Sequence, residues 1–337
     1  MLDAAAALLP VLGFLGLLQL LDSFKLVRLG GVLRAIASGA VAALLATQLH
    51  AALLDATGLS ATSFSRYVAP ATEETLKAVY VLVLIHRRRV GFLVDAAIQG
   101  FAVGTGFALV ENVEYLRALK DAAFGLWLVR GLGTAILHGA TTTILALLAK
   151  SFGDRYSEKG ALAFLPGLGV AIVLHSLFNH ALLHPFLAAA VLLVVLPALV
   201  VLVFEASEKA THEWLGAGFD LDLELLKLVL SGVFPHTRLG AYLQDLKSRF
   251  PGEVVADMFC LLRIELELSI RAKGMLMARE AGLEAPIGND VHANLTELRY
   301  LERSIGATGR LALKPLAVTS GRDLWHHFLL EDGGARP

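Results

Sequence analysis

The chain has 337 residues, 56% of them apolar and 18% charged, with a net charge of −1 and a single cysteine. Its mean hydropathy of +0.66 is too high for an ordinary soluble protein and reads as a polytopic membrane protein. The balanced charge, with no basic patch interleaved with aromatics, excludes nucleic acid as a partner. The lone Cys260 excludes an internal disulfide and any multi-cysteine metal site.

Taken in order, seven segments have the length and apolarity of a membrane helix, which needs roughly 20 residues. They are Ala4–Leu21, Leu33–Leu54, Tyr67–Ile85, Gly91–Leu116, Ala123–Ala149, Ala161–Leu183 and Pro185–Phe204, the last two divided only by His184-Pro185. The first lacks a basic flank and a cleavage site, so it reads as a retained helix. Lys25, Arg28 and Arg34, then Arg87-Arg88-Arg89, then Lys150, Arg155 and Lys159 fall in alternate connections. Positive charge marks the cytoplasmic side, which puts the N-terminus outside and the tail inside. Arg66, Arg117 and Lys120 run against this bias but are fewer.

Beyond Phe204 the charges become denser. Val254–Glu280 and Asp290–Arg303 space apolar residues as helices do, and Pro235, Pro251, Gly252, Pro286 and Gly288 punctuate the rest. The expected fold is all-α: a polytopic membrane helix bundle over residues 1–206, with a small C-terminal α-helical cytosolic domain over residues 207–337.

The third segment opens on Ala69-Pro70-Ala71-Thr72-Glu73-Glu74-Thr75-Leu76-Lys77. Ionisable side chains at bilayer depth cost at least a few kcal/mol each and persist there mainly for function. Lys77 follows Glu73 by four residues and Glu74 by three, so it is in reach of either. The orientation puts both glutamates roughly 9–10 Å below the outer end of the third helix at 1.5 Å per residue. Glu111 and Asn112 fall within about two turns of the outer end of the fourth. His175 and Asn179 fall in the last turns of the sixth, and His138 near the middle of the fifth. These positions converge in the outer half of the bilayer. Adjacent carboxylates point about 100° apart, so one faces a cavity while the other faces a neighbouring helix.

Each piece also has a structural reading. Glu73, Glu74 and Lys77 alone make an ion-pair network between helices, His138 a packed and hydrogen-bonded residue, and His175 with Asn179 interhelical glue. Glu114, His50, His86, His180 and His184 read as wet residues near helix ends. Gly100, Gly104 and Gly106 allow close helix packing. His212-Glu213 lacks the second histidine of a zincin, and Trp325-His326-His327 lacks a third ligand.

Glu73-Glu74-x-x-Lys77, Phe107-x-x-x-Glu111-Asn112, His138 in a small-residue helix and His175-x-x-x-Asn179 come in the order and approximate spacing of one family. Over residues 67–183 the chain resembles the PrsW intramembrane proteases, which are related to type II CAAX prenyl endopeptidases and the wider Abi-type group. Lys77, where that wider group often has arginine, favours PrsW.

The resemblance implies cleavage of a membrane-anchored protein such as an anti-sigma factor, near the extracytoplasmic face of the cell membrane. Under it Glu73 is the expected general base, with His138 helping to hold the water. Glu74, paired with Lys77, tunes the first carboxylate, and His175 and Asn179 donate to the oxyanion. Glu111 and Asn112 support. The cofactor is either none or zinc, the latter held by His138, His175 and a carboxylate from Glu74 or Glu111. Competing functions are a proton- or ion-coupled transporter and a non-catalytic scaffold of the Abi type.

Overall fold

The structure is a computed structural model that describes residues 1–22, 24–155, 162–283, 289–313, 327 and 329–330. Clustering of contacts divides the chain into two compact units, Met1–Ser207 and Glu208–Pro337. Both are all-α among the described residues. Of the tail motif, Trp325 and His326 lie outside the described residues, as do Pro286 and Gly288.

The first unit holds α1 (Leu2–Leu21), α2 (Leu29–Thr57), α3 (Ala69–His86), α4 (Leu93–Ala118), α5 (Ala135–Arg155) and α6 (Leu165–Asn179). The apolar helix α7 (Pro185–Leu230) begins in it and runs on into the second unit's residues. Among the described residues, six helices are long and apolar enough to cross a bilayer. Seven were expected. The one that misses that standard is α3, because Glu73, Glu74 and Lys77 dilute its apolar run. The last span was expected to stop at Phe204, yet α7 continues to Leu230. Its continuation is rich in Glu, Lys, Ala and Leu, all good helix formers, with no proline after Pro197 to stop it.

Helix ends follow local chemistry. α2 stops at Gly58, whose φ of 62° suits a residue without Cβ and lets its N–H reach Leu54 O. Ser60 accepts from Ser63 N–H and restarts the chain. Asp95, in the first turn of α4, accepts from the N–H groups of Gly91 and Phe92.

α4 is the axis of the bundle. Its membrane-length window is 78% buried, against 22% for α1 and 17% for α7, and it packs most extensively on α5 and α2. Glycine makes this possible. A Cβ on Gly104 would sit 2.2 Å from His138 O of α5, and one on Gly106 would sit 1.9 Å from Ile36 O of α2. From the other side, a Cβ on Gly39 of α2 would meet Val103 O at 1.9 Å. Backbones therefore touch on both flanks of α4, one contact falling at the level of His138.

The second unit contains the short α8 (Arg238–Leu246), then α9 (Gly252–Glu280) and α10 (Asn289–Leu313), which pack together. Met258, Ile264, Leu268, Leu276, Val291, Leu295 and Leu298 are buried there. Lys273 is also buried, and its ammonium donates to Asp222 Oδ2 at 2.7 Å. His212 lies 3.5 Å from Glu280, and His327 lies 3.3 Å from Glu265.

Gly104→Val has no room against a backbone carbonyl. It is expected to lower stability by about 1–3 kcal/mol, read from the midpoint of a denaturant titration in micelles, whereas Gly13→Ala, with open space around it, leaves that midpoint unchanged.

Candidate active site

The site is assembled from α3, α4, α5 and α6. On α3, Glu73 and Glu74 point apart as neighbours on a helix must. Both are buried. Glu74 Oε1 accepts from Lys77 Nζ at 2.6 Å, from His175 Nδ1 at 2.8 Å and from Thr141 Oγ1 at 3.1 Å. The Glu74 and Lys77 side chains are both 0% exposed. Of the two carboxylates in reach, then, Lys77 takes Glu74.

The ammonium also donates to His138 Nδ1 at 3.2 Å. Lysine has no acceptor, so Nδ1 is the bare nitrogen and Nε2 carries the proton. That N–H donates to Glu111 Oε2 of α4 at 2.9 Å. Gly104 and Phe107 share the Glu111 face of α4, at helical spacings of seven and four residues. The close approach at Gly104 thus places Glu111 in reach of His138. Phe107 lies 5.0 Å from the His138 ring and 4.9 Å from Lys77 Nζ.

His175 stands edge-on to His138, with ring centroids 5.0 Å apart. With its Nδ1–H given to Glu74, a neutral His175 presents a lone pair at Nε2, which lies 3.9 Å from Glu73 Oε2. Glu73 Oε2 is buried and has no hydrogen-bond partner among the described residues. One donor atom each from Glu73, His138 and His175 lie within 4.8 Å of one another, on three different helices.

That donor set is suited to zinc: two imidazoles and a carboxylate leave a fourth position open. Ligands at about 2.0–2.1 Å in a tetrahedron sit about 3.4 Å apart, close to the 3.9 Å between Glu73 and His175. Glu73, Glu74 and Glu111 face one ammonium and one guanidinium. The sequence-based ligand set named Glu74 or Glu111. In the structure Glu74 instead bonds His175 Nδ1 and Glu111 bonds His138 Nε2, a role carboxylates take behind metal-ligating histidines, and Glu73 is the carboxylate grouped with the two rings.

Asn179 was expected beside the oxyanion, and the structure places it elsewhere. Its Nδ2 donates to Ser65 O at 2.9 Å, and Ser176 Oγ donates to Arg66 O at 2.6 Å. The reason lies in Pro70, which has no N–H and whose ring excludes the carbonyl four residues before it. The chain widens there into a π-helical turn, Phe64–Val68, with Ala69 N–H reaching Phe64 O. Ser65 and Arg66 carbonyls, five and four residues before Pro70, lose the helical donor it would have supplied, and α6 serves them instead. His175 likewise spends its Nδ1 proton on Glu74.

Asn112, buried, donates to Ala7 O at 2.7 Å and accepts from Arg130 Nε at 2.8 Å. Arg130, Thr141 and Ser176 were not singled out from sequence. Arg130 did leave a signal, as a lone charge in the apolar run from Phe124 to Thr134. Thr141 and Ser176 left none, since hydroxyls in helices commonly bond their own backbone. His50, expected to be wet, bonds Thr72 Oγ1 at 2.6 Å, beside Glu73.

An all-α membrane bundle with a Glu–His–His cluster buried among its helices suits a membrane-embedded hydrolase. The chain belongs to the PrsW family of intramembrane metalloproteases, whose family model matches residues 26–204, more than half of the chain. No curated protein and no solved structure matches it significantly.

Lys77→Met strands Glu74 as a buried, uncompensated charge and is expected to cost about 3–5 kcal/mol. Adding Glu74→Gln to that variant recovers part of the loss, which a double-mutant cycle on unfolding midpoints measures. A Lys77→Met protein as stable as the parent contradicts the pairing.

Proposed function

We propose that the chain hydrolyses a peptide bond in a membrane-anchored protein at the pocket formed by Glu73, His138 and His175. The observation that carries this reading is the convergence of those three donors from α3, α5 and α6, with Glu74 and Glu111 behind the two rings.

Glu73 is the proton acceptor. Its unpartnered Oε2 faces the bare Nε2 of His175, so a water between them is held with a proton toward the carboxylate and its oxygen toward the substrate. Having taken that proton, Glu73 returns it to the leaving amine. Glu74 keeps His175 in the tautomer that leaves Nε2 bare, and Lys77 holds Glu74 in place. Glu111 fixes the ring of His138. Asn112 braces Arg130, beside Glu111, against α1. Asn179 and Ser176 secure the start of α3, and with it the glutamate pair.

Glu73, His138 and His175 would hold a zinc-type ion, with Lys77 yielding His138 Nδ1 while Glu111 keeps Nε2. Such an ion, when bound, supplies a Lewis acid for the carbonyl and lowers the pKa of water. A carboxylate that binds through one oxygen keeps the other for the proton.

The substrate reading is an anti-sigma-factor-like protein cut near the extracytoplasmic face, which rests on the family and on the charge bias of the connections. That bias puts the N-terminus outside and residues 207–337 in the cytoplasm as a helical domain.

With single-span membrane proteins as candidate substrates, Glu73→Gln and His175→Ala are each expected to slow cleavage about 100-fold or more. Chelation stops it and zinc restores it, with about one zinc per chain in the purified protein. Cleavage that survives both substitutions refutes the site. A reporter fused after Pro337 is expected to be active only in the cytoplasm. Activity outside reverses the orientation.

A further inference from the structure

We propose that Arg130 is a positioning residue for this pocket, setting Glu111 and, through it, the ring of His138; this rests on the hydrolytic reading above. Arg130 is 7% exposed, and its surroundings come from α4 and, through Asn112, from α1. Its NH2 group lies 3.1 Å from Glu111 Oε2, and its Nε donates to Asn112 Oδ1 at 2.8 Å. Asn112 is in turn tied to Ala7 O of α1 at 2.7 Å. The Tyr115 ring lies 3.6 Å from the guanidinium carbon.

Two features make arginine the residue for this place. Glu111 and Asn112 are adjacent on α4, so their side chains diverge by about 100°. A planar guanidinium donates from Nε to Asn112 while its NH2 nitrogen stands in ion-pair contact with Glu111, which a single ammonium does not do in the same fixed geometry.

The second feature is the π-helical turn Arg130–Thr134. Eight residues separate Arg130 from His138, leaving them about 80° apart on an unbroken α-helix. A π turn takes up an extra residue and brings them toward one side. There both meet the same atom, Glu111 Oε2, at 3.1 Å from the guanidinium and 2.9 Å from the imidazole.

The consequence concerns His138. Lys77 occupies Nδ1 as a donor, so the ring's orientation depends on an acceptor at Nε2. Glu111 is that acceptor, and its side chain is 22% exposed, enough to turn toward water once its cationic partner is gone. Arg130 keeps it turned inward.

The test uses the full chain in proteoliposomes, comparing wild type with Arg130→Leu and Arg130→Lys. Zinc affinity is read by competition with a chromophoric chelator, and cleavage kinetics are measured per folded molecule. Removing a group behind a metal-ligating histidine typically costs 10–100-fold. Arg130→Leu is expected to weaken zinc and lower kcat by about that factor while KM stays within about twofold. Arg130→Lys recovers part of kcat, having the charge without the fork.

If Arg130→Leu does not fold, Arg130→Leu with Glu111→Gln removes the orphaned charge and is compared with Glu111→Gln alone. Zinc affinity and kcat below wild type but no lower than in Glu111→Gln support a role exerted through Glu111. Wild-type zinc affinity and kcat in either folded leucine variant, or a change confined to KM, overturn it. A wild-type protein that cuts nothing, while Arg130→Leu still weakens zinc, sinks proteolysis and leaves the positioning role standing.

Discussion

The bond between Lys77 and Glu74, 2.6 Å long and wholly shut off from solvent, sets the terms for the rest of the first unit. A carboxylate that far from water survives as an anion only if its oxygens are answered by donors. Glu74 Oε1 takes three, from α3, α5 and α6. Each donor is then committed to a direction. Lys77 is drawn against His138, and His175 is set in the tautomer that leaves its outer nitrogen bare. Glu73, one residue away, keeps an oxygen with no hydrogen-bond partner among the described residues, because those donors went to its neighbour.

This arrangement requires helices much closer together than ordinary side chains allow. Gly104 and Gly106 let α4 press its backbone against α5 and α2 at once, and van der Waals contact across small residues is what associates helices in lipid. Pro70 works in the opposite sense. By opening the helix into a π turn it releases two carbonyls just before the glutamates, and Ser176 and Asn179 of α6 seize them. A second π turn lies just upstream of His138. Both α3 and α5 thus start from a widened turn, which shifts the register of the residues that follow.

Family membership and geometry bear on different questions. The family makes the chain an intramembrane protease. The geometry separates carboxylates that look alike in sequence: Glu73 groups with the imidazoles, while Glu74 and Glu111 each stand behind one of them. Carboxylates that stand behind imidazoles in this way fix their tautomer and orientation.

Much was legible in the order of residues alone. Long apolar runs specify membrane helices because a bilayer leaves the backbone no partner but itself, and charged residues within those runs announce a site because lipid tolerates few of them. The motif residues Glu73, Glu74, His138 and His175 were therefore visible before any coordinates. What sequence left open was pairing: whether Lys77 takes Glu73 or Glu74, which carboxylate joins the histidines, what Asn179 bonds, and that Arg130 belongs beside Glu111. These choices depend on which faces of separate helices meet, and on shifts of one residue in register at two π turns. No spacing within a single helix encodes a contact between helices, so only the tertiary structure decided them.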